Sequence, residues 1–135
     1  MEQNQHQLEL CVRDYECDLQ GVVNNAVYLN YLEHARHEYL RQKGLDFAAL
    51  ASEGINLMVI RAEIDYRGSL RSGDSFIVQS RYEQKSRLKF LFKQEIVREG
   101  ESKALLRAEI TGTAVNKAGK PFLPPELALL LDEKE

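Results

Sequence analysis

Polar and apolar positions alternate near the start of the chain. Between residues 7 and 15 the apolar side chains fall two positions apart, at Leu8, Leu10 and Val12. A period of two is typical of a strand with one buried face, so we predict a β-strand over residues 7–15. Residues 16–25 break this alternation with two acids, a glycine and a pair of asparagines, which predicts a loop that leads into a helix.

The period becomes helical after this loop. Apolar and aromatic side chains recur four positions apart, at Val27, Tyr31, Ala35 and Tyr39. This spacing predicts a long helix over residues 26–43. Either Asn24 or Asn25 can cap its start, because a short amide side chain accepts from the free N–H groups of a first turn, and Gly44 is suited to end it. A short second helix is predicted over residues 46–53.

Runs rich in β-branched and aromatic residues follow. We predict four strands from them, over residues 55–67, 75–85, 88–98 and 105–116. Their connections are short turns, so consecutive strands should be antiparallel. Three prolines come next, and a short apolar helix is predicted at residues 126–131. This order predicts an α+β protein in which a five-stranded antiparallel sheet wraps one long central helix and leaves a sheet face and edge for a partner subunit.

Composition bounds the class of protein. The chain has 135 residues, of which 44% are hydrophobic and 29% charged, so we expect a single domain over residues 1–135. Its 18 Lys and Arg against 21 Asp and Glu give a net charge of −3, which argues against binding nucleic acid. We predict no membrane segment and a cytoplasmic location, because no apolar run approaches ~20 residues and the start lacks the pattern of a secretory signal. Two cysteines make no disulfide framework.

One segment carries more specific information than this pattern. Residues 12–31 read VRDYECDLQGVVNNAVYLNY, and the helix continues with EHARHEYL at residues 33–40. Together with the strand order, this segment resembles the hotdog-fold acyl-CoA thioesterases of the 4-hydroxybenzoyl-CoA thioesterase family. That family has an acid in a D-x-x-G turn, then a hydrophobic pair and the first turn of the central helix. The resemblance implies a hotdog fold that hydrolyses an acyl-CoA thioester to a carboxylic acid and coenzyme A.

The resemblance assigns the catalytic roles to Asp18 and Asn25. An aspartate is ionised at neutral pH unless strongly desolvated, so Asp18 can act as a base or a nucleophile. The first-turn N–H groups of a helix have no intrahelical partner and lie at its positive end, where they can stabilise an oxyanion. The matching donor here is the N–H of Asn25, at which the type enzyme has an aromatic residue. Alternatively, Asp18 is only a turn residue, and Asp14 and Glu16 are neighbouring acids on one face of the predicted strand.

Other predicted contacts with the substrate come from the loop, the helix and a strand. Gly21 lets a substrate approach the backbone because it has no Cβ atom. The remaining predicted substrate-binding residues are Val23, Asn24, Tyr28, Met58 and Val59. The helix residue Tyr31 and the strand residue Ile60 are further candidates for the wall of the acyl channel.

A basic turn between two predicted strands is a candidate site for phosphate. It contains Lys85, Ser86, Arg87 and Lys89. Guanidinium and ammonium groups pair well with phosphate oxygens, and the resembled family places its coenzyme A contacts at the corresponding turn. Alternatively, the turn is a solvated hairpin tip. Arg67 and Arg71 are weaker candidates for the same role.

Several other chemistries are less well supported. His34 and His37 could bind a metal together, but a catalytic zinc needs a third protein ligand and none has an evident place, so we predict no metal and no cofactor. Cys17 has no histidine placed in sequence to activate it. A hotdog dehydratase and a non-catalytic module that binds acyl-CoA or acyl carrier protein remain as alternatives. We expect a homodimer with continuous strands, or a homotetramer, with active sites at the subunit interface.

Overall fold

The computed structural model describes residues 5–131. Its helices and strands are β1 (Gln5–Cys11), α1 (Asn25–Gln42), α2 (Phe47–Ser52), β2 (Asn56–Tyr66), β3 (Ser75–Gln84), β4 (Phe90–Arg98), β5 (Leu106–Val115) and β6 (Pro121–Phe122). Two 3₁₀ helices complete the structure, at Asp14–Glu16 and Pro125–Leu130.

The strands form one antiparallel sheet in the order β1-β3-β4-β5-β2, with β6 paired to the end of β5. Because β1 and β2 end this order, β2 is an edge strand although it is the longest, with 11 residues. The predicted α+β architecture, an antiparallel sheet with one long helix, is confirmed. The sixth strand was not predicted, because a two-residue strand is too short to show a period and begins with a proline.

Helix α1 packs on one face of the sheet through a stripe of buried residues. The stripe contains Tyr28, Tyr31, Leu32, Ala35, Tyr39 and Leu40. Opposite it, alternate residues of the central strands are buried, such as Phe76 and Val78 of β3 and Ile96 of β4. The polar Gln94 lies among them, and its amide group donates to the carbonyl of Leu32 (3.0 Å) and the hydroxyl of Ser80 (2.9 Å). Its bonds satisfy the polar group inside the core.

Two predicted boundaries are wrong for local reasons. Strand β1 ends at Cys11, and the chain then turns through the 3₁₀ helix Asp14–Glu16. The turn forms because the Glu16 carboxylate accepts from the backbone N–H of Arg13 (2.9 Å), so Asp14 and Glu16 do not share a strand face. The predicted C-terminal helix is a 3₁₀ helix over Pro125–Leu130, a common form for a short segment that starts with proline.

Neither helix among residues 5–131 combines the length and the apolar character needed to cross a membrane. The cytoplasmic location stays a prediction. Cys11 and Cys17 are both free thiols.

Candidate active site

Residues 17–23 form a tight hairpin that carries Asp18. Cys17 and Val23 pair in antiparallel fashion across it, and the backbone N–H of Asp18 donates to the carbonyl of Val22 (2.9 Å). The turn closes where the N–H of Gly21 donates to the carbonyl of Asp18 (3.0 Å). Gly21 has a φ of 83°, a left-handed conformation that side chains with a Cβ rarely adopt. Glycine is therefore needed for the shape of this loop.

The two oxygens of the Asp18 carboxylate differ in their contacts. Oδ1 accepts from the backbone N–H of Gln20 (2.9 Å) and more weakly from that of Val22 (3.4 Å). For Oδ2, residues 5–131 provide no hydrogen-bond donor, and the side chain is exposed. The predicted alternative, a turn residue, is thus observed at one oxygen. The other oxygen remains available to a water molecule or a carbonyl carbon.

The amides at the start of α1 are all engaged except one. The N–H of Asn24 donates to the carbonyl of Glu16 (3.1 Å). The N–H of Ala26 donates to the side-chain oxygen of Asn24 (2.9 Å), so Asn24 is the cap, and the N–H of Val27 donates to the carbonyl of Asn24 (2.9 Å). No acceptor from the described residues faces the N–H of Asn25. The first turn therefore presents one open donor, at the predicted position.

Glu16 fixes the hairpin to α1. It is only 8% exposed, and its Oε1 accepts from the Tyr31 hydroxyl (2.6 Å) and from the backbone N–H of Arg13. Its Oε2 accepts from the Arg13 guanidinium (3.2 Å). Burial disfavours the charged carboxylate, but the hydrogen bonds from Arg13 and Tyr31 outweigh it and hold the pKa of Glu16 below its usual value. Burial and the neighbouring Glu16 raise the pKa of Tyr31, so its hydroxyl stays protonated as the donor.

Two predicted substrate contacts lie in the core beneath the site. Tyr28 is 1% exposed, and its hydroxyl accepts from the backbone N–H of Leu70 (2.8 Å). Its ring lies 5.8 Å from that of Tyr66, at the end of β2. Val23 is also buried, and its N–H donates to the carbonyl of Leu70 (2.9 Å). Both residues therefore support the loop and helix start, while their contact with a substrate stays a prediction.

Met58 and Val59 lie at the other end of β2. Met58 pairs with Thr113, whereas Tyr66 pairs with Leu106. Eight residues at 3.3 Å each separate Met58 from Tyr66 by about 26 Å. Because Tyr66 contacts Tyr28 in the first turns of α1, one chain does not bring Met58 and Val59 next to Asp18 and Asn25. Both side chains are half exposed on the sheet edge.

The basic turn is at this same distant end. It connects β3 to β4, where the backbone N–H groups of Lys85 and Ser86 both donate to the carbonyl of Lys89 (2.9 and 3.1 Å). The side chains of Lys85, Ser86, Arg87 and Lys89 are all exposed. The hairpin of Asp18 lies instead beside Arg71, which precedes the opposite end of β3.

A cleft of about 250 Å³ lies between α1 and the Met58 end of β2. Its apolar walls include Leu40, Phe47, Leu57, Phe90 and Phe92. Sequence reasoning missed this cleft and the half-buried cation in its wall, Arg36. The Arg36 guanidinium donates to the side chain of Gln94 (2.9 Å), and burial lowers its pKa to about 10. The available signal was its spacing of four from both Leu32 and Leu40, which places a cation on the buried stripe.

The two histidines of α1 lie in different surroundings. His37 stacks on Phe47, with ring centroids 4.5 Å apart, and lies 3.8 Å from the Glu33 carboxylate. His34 is exposed. Across the described part of the chain, no three His, Cys, Asp or Glu residues come together as a metal site would require.

Comparison with known proteins identifies similar chains. Residues 12–131 match the profile of the Thioesterase-like superfamily. The chain is 39% identical over 120 residues to the chloroplastic acyl-acyl carrier protein thioesterase ATL3 of Arabidopsis thaliana, a match covering 89% of this chain and 63% of that protein. This chain thus spans less than two thirds of that plant relative.

Solved structures show the same fold. A probable thioesterase from Bartonella henselae superposes with a TM-score of 0.81 at 30% identity, covering 90% of this chain and 99% of that one. A mutant of 4-hydroxybenzoyl-CoA thioesterase in complex with 4-hydroxybenzoyl-CoA superposes with a TM-score of 0.85, covering 96% of this chain and 99% of that one. At 15% identity the latter match concerns the fold alone. The predicted hotdog fold is confirmed.

Proposed function

This chain belongs to the thioesterase-like superfamily, and from that premise we propose that it hydrolyses acyl thioesters with Asp18 as base or nucleophile and the N–H of Asn25 as oxyanion donor. One observation carries the assignment of the donor. Of four successive amides at the start of α1, those of Asn24, Ala26 and Val27 are bonded, whereas that of Asn25 has no acceptor among residues 5–131. An open donor at a helix start is suited to a developing negative charge.

The proposed reaction has two routes with the same geometry. As a base, Asp18 takes a proton from a water molecule while the water oxygen bonds to the carbonyl carbon. Negative charge on the carbonyl oxygen is then stabilised by the N–H of Asn25. The C–S bond breaks, and the leaving thiolate takes up the proton to give a carboxylic acid and a free thiol. As a nucleophile, the Asp18 carboxylate bonds to the carbonyl carbon and the C–S bond breaks, which gives a mixed anhydride and the leaving thiolate. Water then hydrolyses the anhydride to the carboxylic acid and restores the Asp18 carboxylate, and the thiolate takes up the proton that this water releases.

The edge strand β2 supports the predicted homodimer. Met58, Val59 and Ile60 are about half exposed there, and a long apolar edge is an aggregation liability unless it is covered. Antiparallel pairing of β2 with β2 of a second copy about a two-fold axis covers it. The same pairing brings the Met58 end of one strand to the Tyr66 end of the other. The apolar cleft and Val59 of one subunit would then receive the acyl group held at the other subunit's helix start.

The dimer has a direct test in Val59→Lys, with Leu129→Lys as the matched control. The two side chains are 50% and 51% exposed, but Leu129 belongs to the 3₁₀ helix Pro125–Leu130 and not to β2. We expect Val59→Lys to be monomeric by light scattering and to lose thioesterase activity. We expect Leu129→Lys to keep the mass and activity of the wild type. A dimeric and active Val59→Lys protein would contradict this pairing.

We propose that the basic turn of Lys85, Ser86, Arg87 and Lys89 binds the phosphate of the thiol carrier, which is coenzyme A or an acyl carrier protein. Arg87→Ala should raise KM for coenzyme A esters more than for short thioesters without a nucleotide. Equal effects on both substrates would count against phosphate binding there. In the proposed dimer this turn belongs to the subunit opposite the one that supplies Asp18.

The proposed activity is tested by the release of free thiol from a panel of acyl-CoA esters. We expect turnover by the wild type, and binding without turnover by Asp18→Asn. An inert wild type that still binds the esters would favour the non-catalytic binding module. Full turnover by Asp18→Asn would show that Asp18 is not the base or nucleophile. A dehydratase requires a histidine beside the acid, and residues 12–31 contain none.

A further inference from the structure

A second basic turn lies beside the first. It connects β5 to β6 and includes Lys117 and Lys120. The backbone N–H of Asn116 donates to the carbonyl of Lys120 (3.0 Å), which closes the turn. The hydroxyl of Thr113, near the end of β5, donates to the carbonyl of Leu88 in the turn between β3 and β4 (2.6 Å). This bond ties the two turns together at the Met58 end of the sheet.

The two turns form one basic surface, made of Lys85, Arg87, Lys89, Lys117 and Lys120. Residues 85–89 and 117–120 contain these five cations and no acid, although the whole chain has a net charge of −3. All five side chains are exposed. Within residues 5–131, none of them forms an ion pair with a carboxylate. The surface thus concentrates unneutralised positive charge on an otherwise acidic protein.

The shape of this surface suits a macromolecule better than a small ligand. Small ligands bind in concave sites that bury most of their surface. Both turns extend beyond the ends of their strands, and neither contributes a residue to the cleft between α1 and β2 or to two further clefts of the described residues. A projecting cationic surface is complementary to an acidic face of another protein.

We propose that the basic surface is the docking site for an acidic acyl carrier protein, with Lys117 and Lys120 binding the carrier itself. The inference rests on the proposed function, because the carrier must deliver an acyl thioester on its phosphopantetheine arm. In the proposed dimer, the surface lies at the end of the sheet that adjoins the helix start of the other subunit. Beyond its phosphate, the uncharged pantetheine part of the arm then extends from the docked carrier towards Asp18 and Asn25 of that subunit.

The kinetic test compares one acyl group on two carriers. Lauroyl-acyl carrier protein and lauroyl-CoA are hydrolysed by the wild type, by Lys117→Glu, by Lys120→Glu and by Lys103→Glu. The control Lys103 is exposed in the turn between β4 and β5, at the opposite end of the sheet, and changes the net charge equally. We expect each of the first two variants to lower kcat/KM for the protein substrate about threefold to tenfold, with the coenzyme A ester unchanged within about twofold.

Three kinetic outcomes would overturn the docking site. An equal loss on both thioesters would mean that these lysines bind the nucleotide. A loss shared by Lys103→Glu would mean that only net charge matters. Unchanged rates on both substrates would mean that the surface binds neither carrier.

A binding measurement separates this inference from the proposed function. Fluorescently labelled holo acyl carrier protein, without an acyl group, is titrated with Asp18→Asn protein and followed by anisotropy. We expect binding that weakens with added salt and weakens about threefold to tenfold further in the Asp18→Asn/Lys120→Glu double variant. If the wild type hydrolyses neither thioester but this binding pattern is observed, the proposed activity is refuted and the docking site is retained. Absent binding, or binding equal in both variants, would overturn the docking site.

Discussion

Glu16 and Asp18 stand on either side of one cysteine, and their surroundings are opposite. Glu16 is buried, and both of its oxygens accept hydrogen bonds from Arg13 or Tyr31. Asp18 is exposed, and among residues 5–131 only its Oδ1 finds donors, which are backbone amides of its own turn. Two acids two residues apart therefore have different capacities for chemistry.

This difference in hydrogen bonding suits Glu16 to a structural role and Asp18 to the proposed reaction. A carboxylate with all its oxygens engaged cannot contact a substrate without losing bonds that it needs while buried. Glu16 therefore stabilises the loop, since its side chain reaches Tyr31 and its carbonyl accepts from Asn24 at the helix start. The Oδ1 atom of Asp18 fixes the shape of its turn, whereas its Oδ2 atom accepts from no donor among residues 5–131. Variants of the two acids should accordingly affect different quantities.

The largest expected effect is on catalysis by Asp18→Asn. Removing a base or nucleophile while keeping an acceptor for Gln20 should lower kcat/KM by about 10²- to 10⁴-fold. The free energy of unfolding should change by less than about 0.5 kcal/mol, because the turn bonds at Oδ1 remain. Thiol-release kinetics and urea denaturation measure the two quantities. More than a tenth of wild-type activity in Asp18→Asn would contradict the catalytic role that distinguishes Asp18 from Glu16.

Glu16→Gln should show the reverse pattern. One acceptor oxygen is replaced by an amide group in a buried site, which should cost about 1–3 kcal/mol of unfolding free energy. Any fall in kcat/KM should be smaller than that of Asp18→Asn. Asp14→Asn is the control, since Asp14 is an exposed acid in the same 3₁₀ helix that accepts from the Ser72 hydroxyl. Equal free energies of unfolding for Glu16→Gln and Asp14→Asn in urea would show that Glu16 does not stabilise the loop.

The N-terminal caps of α1 and α2 allow a matched comparison, in which the expected effects are smaller. Asn24 caps α1 by accepting from Ala26, and Asp46 caps α2 by accepting from Ala49 (3.0 Å). Replacing either by alanine should lower the free energy of unfolding by about 1 kcal/mol. Only Asn24→Ala should also lower kcat/KM, because a frayed first turn displaces the N–H of Asn25. If both variants lowered kcat/KM equally, the start of α1 would have no special role.

The smallest expected effect is on the pH dependence of stability. The folded pKa of Glu16 lies below the ordinary 4.5, because hydrogen bonds from Arg13 and Tyr31 outweigh the opposing effect of burial. Its contribution is therefore fully present above about pH 4.5 and is lost as the pH falls through the folded value. Denaturation of wild type and Glu16→Gln from pH 7 to pH 3 should show their difference shrinking in acid. A difference that grows below pH 4.5 would have the wrong sign.

Local patterns made much of the fold predictable. The helical period of α1 and the short turns between the later strands follow from neighbouring residues, and both are present in the structure. The end of β1 was not predictable in this way. It depends on the Glu16 carboxylate, which accepts from the backbone N–H of Arg13 and from the Tyr31 hydroxyl fifteen residues away, and the alternation of apolar residues shows neither contact.

The candidate site likewise contains residues that local sequence places and one that strand pairing places. Asp18, Gly21 and Asn25 are close in sequence, so one hairpin and one helix start bring them together. Met58 was predicted to bind the same substrate as a wall of the acyl channel, but its position depends on the pairing of β2 with β5, which places it at the far end of the sheet. In the proposed dimer, a second copy of the chain brings it back to the site. That arrangement depends on an interface and is not encoded in any local period.

A crystal structure of Asp18→Asn with bound lauroyl-CoA would show whether a thioester carbonyl lies against the open amide of α1. We expect the carbonyl oxygen about 2.7–3.1 Å from the backbone nitrogen of Asn25, with the side chain of residue 18 beside the carbonyl carbon. A well-ordered ester with its carbonyl far from that nitrogen, or an acceptor of the protein itself on the Asn25 N–H, would contradict it.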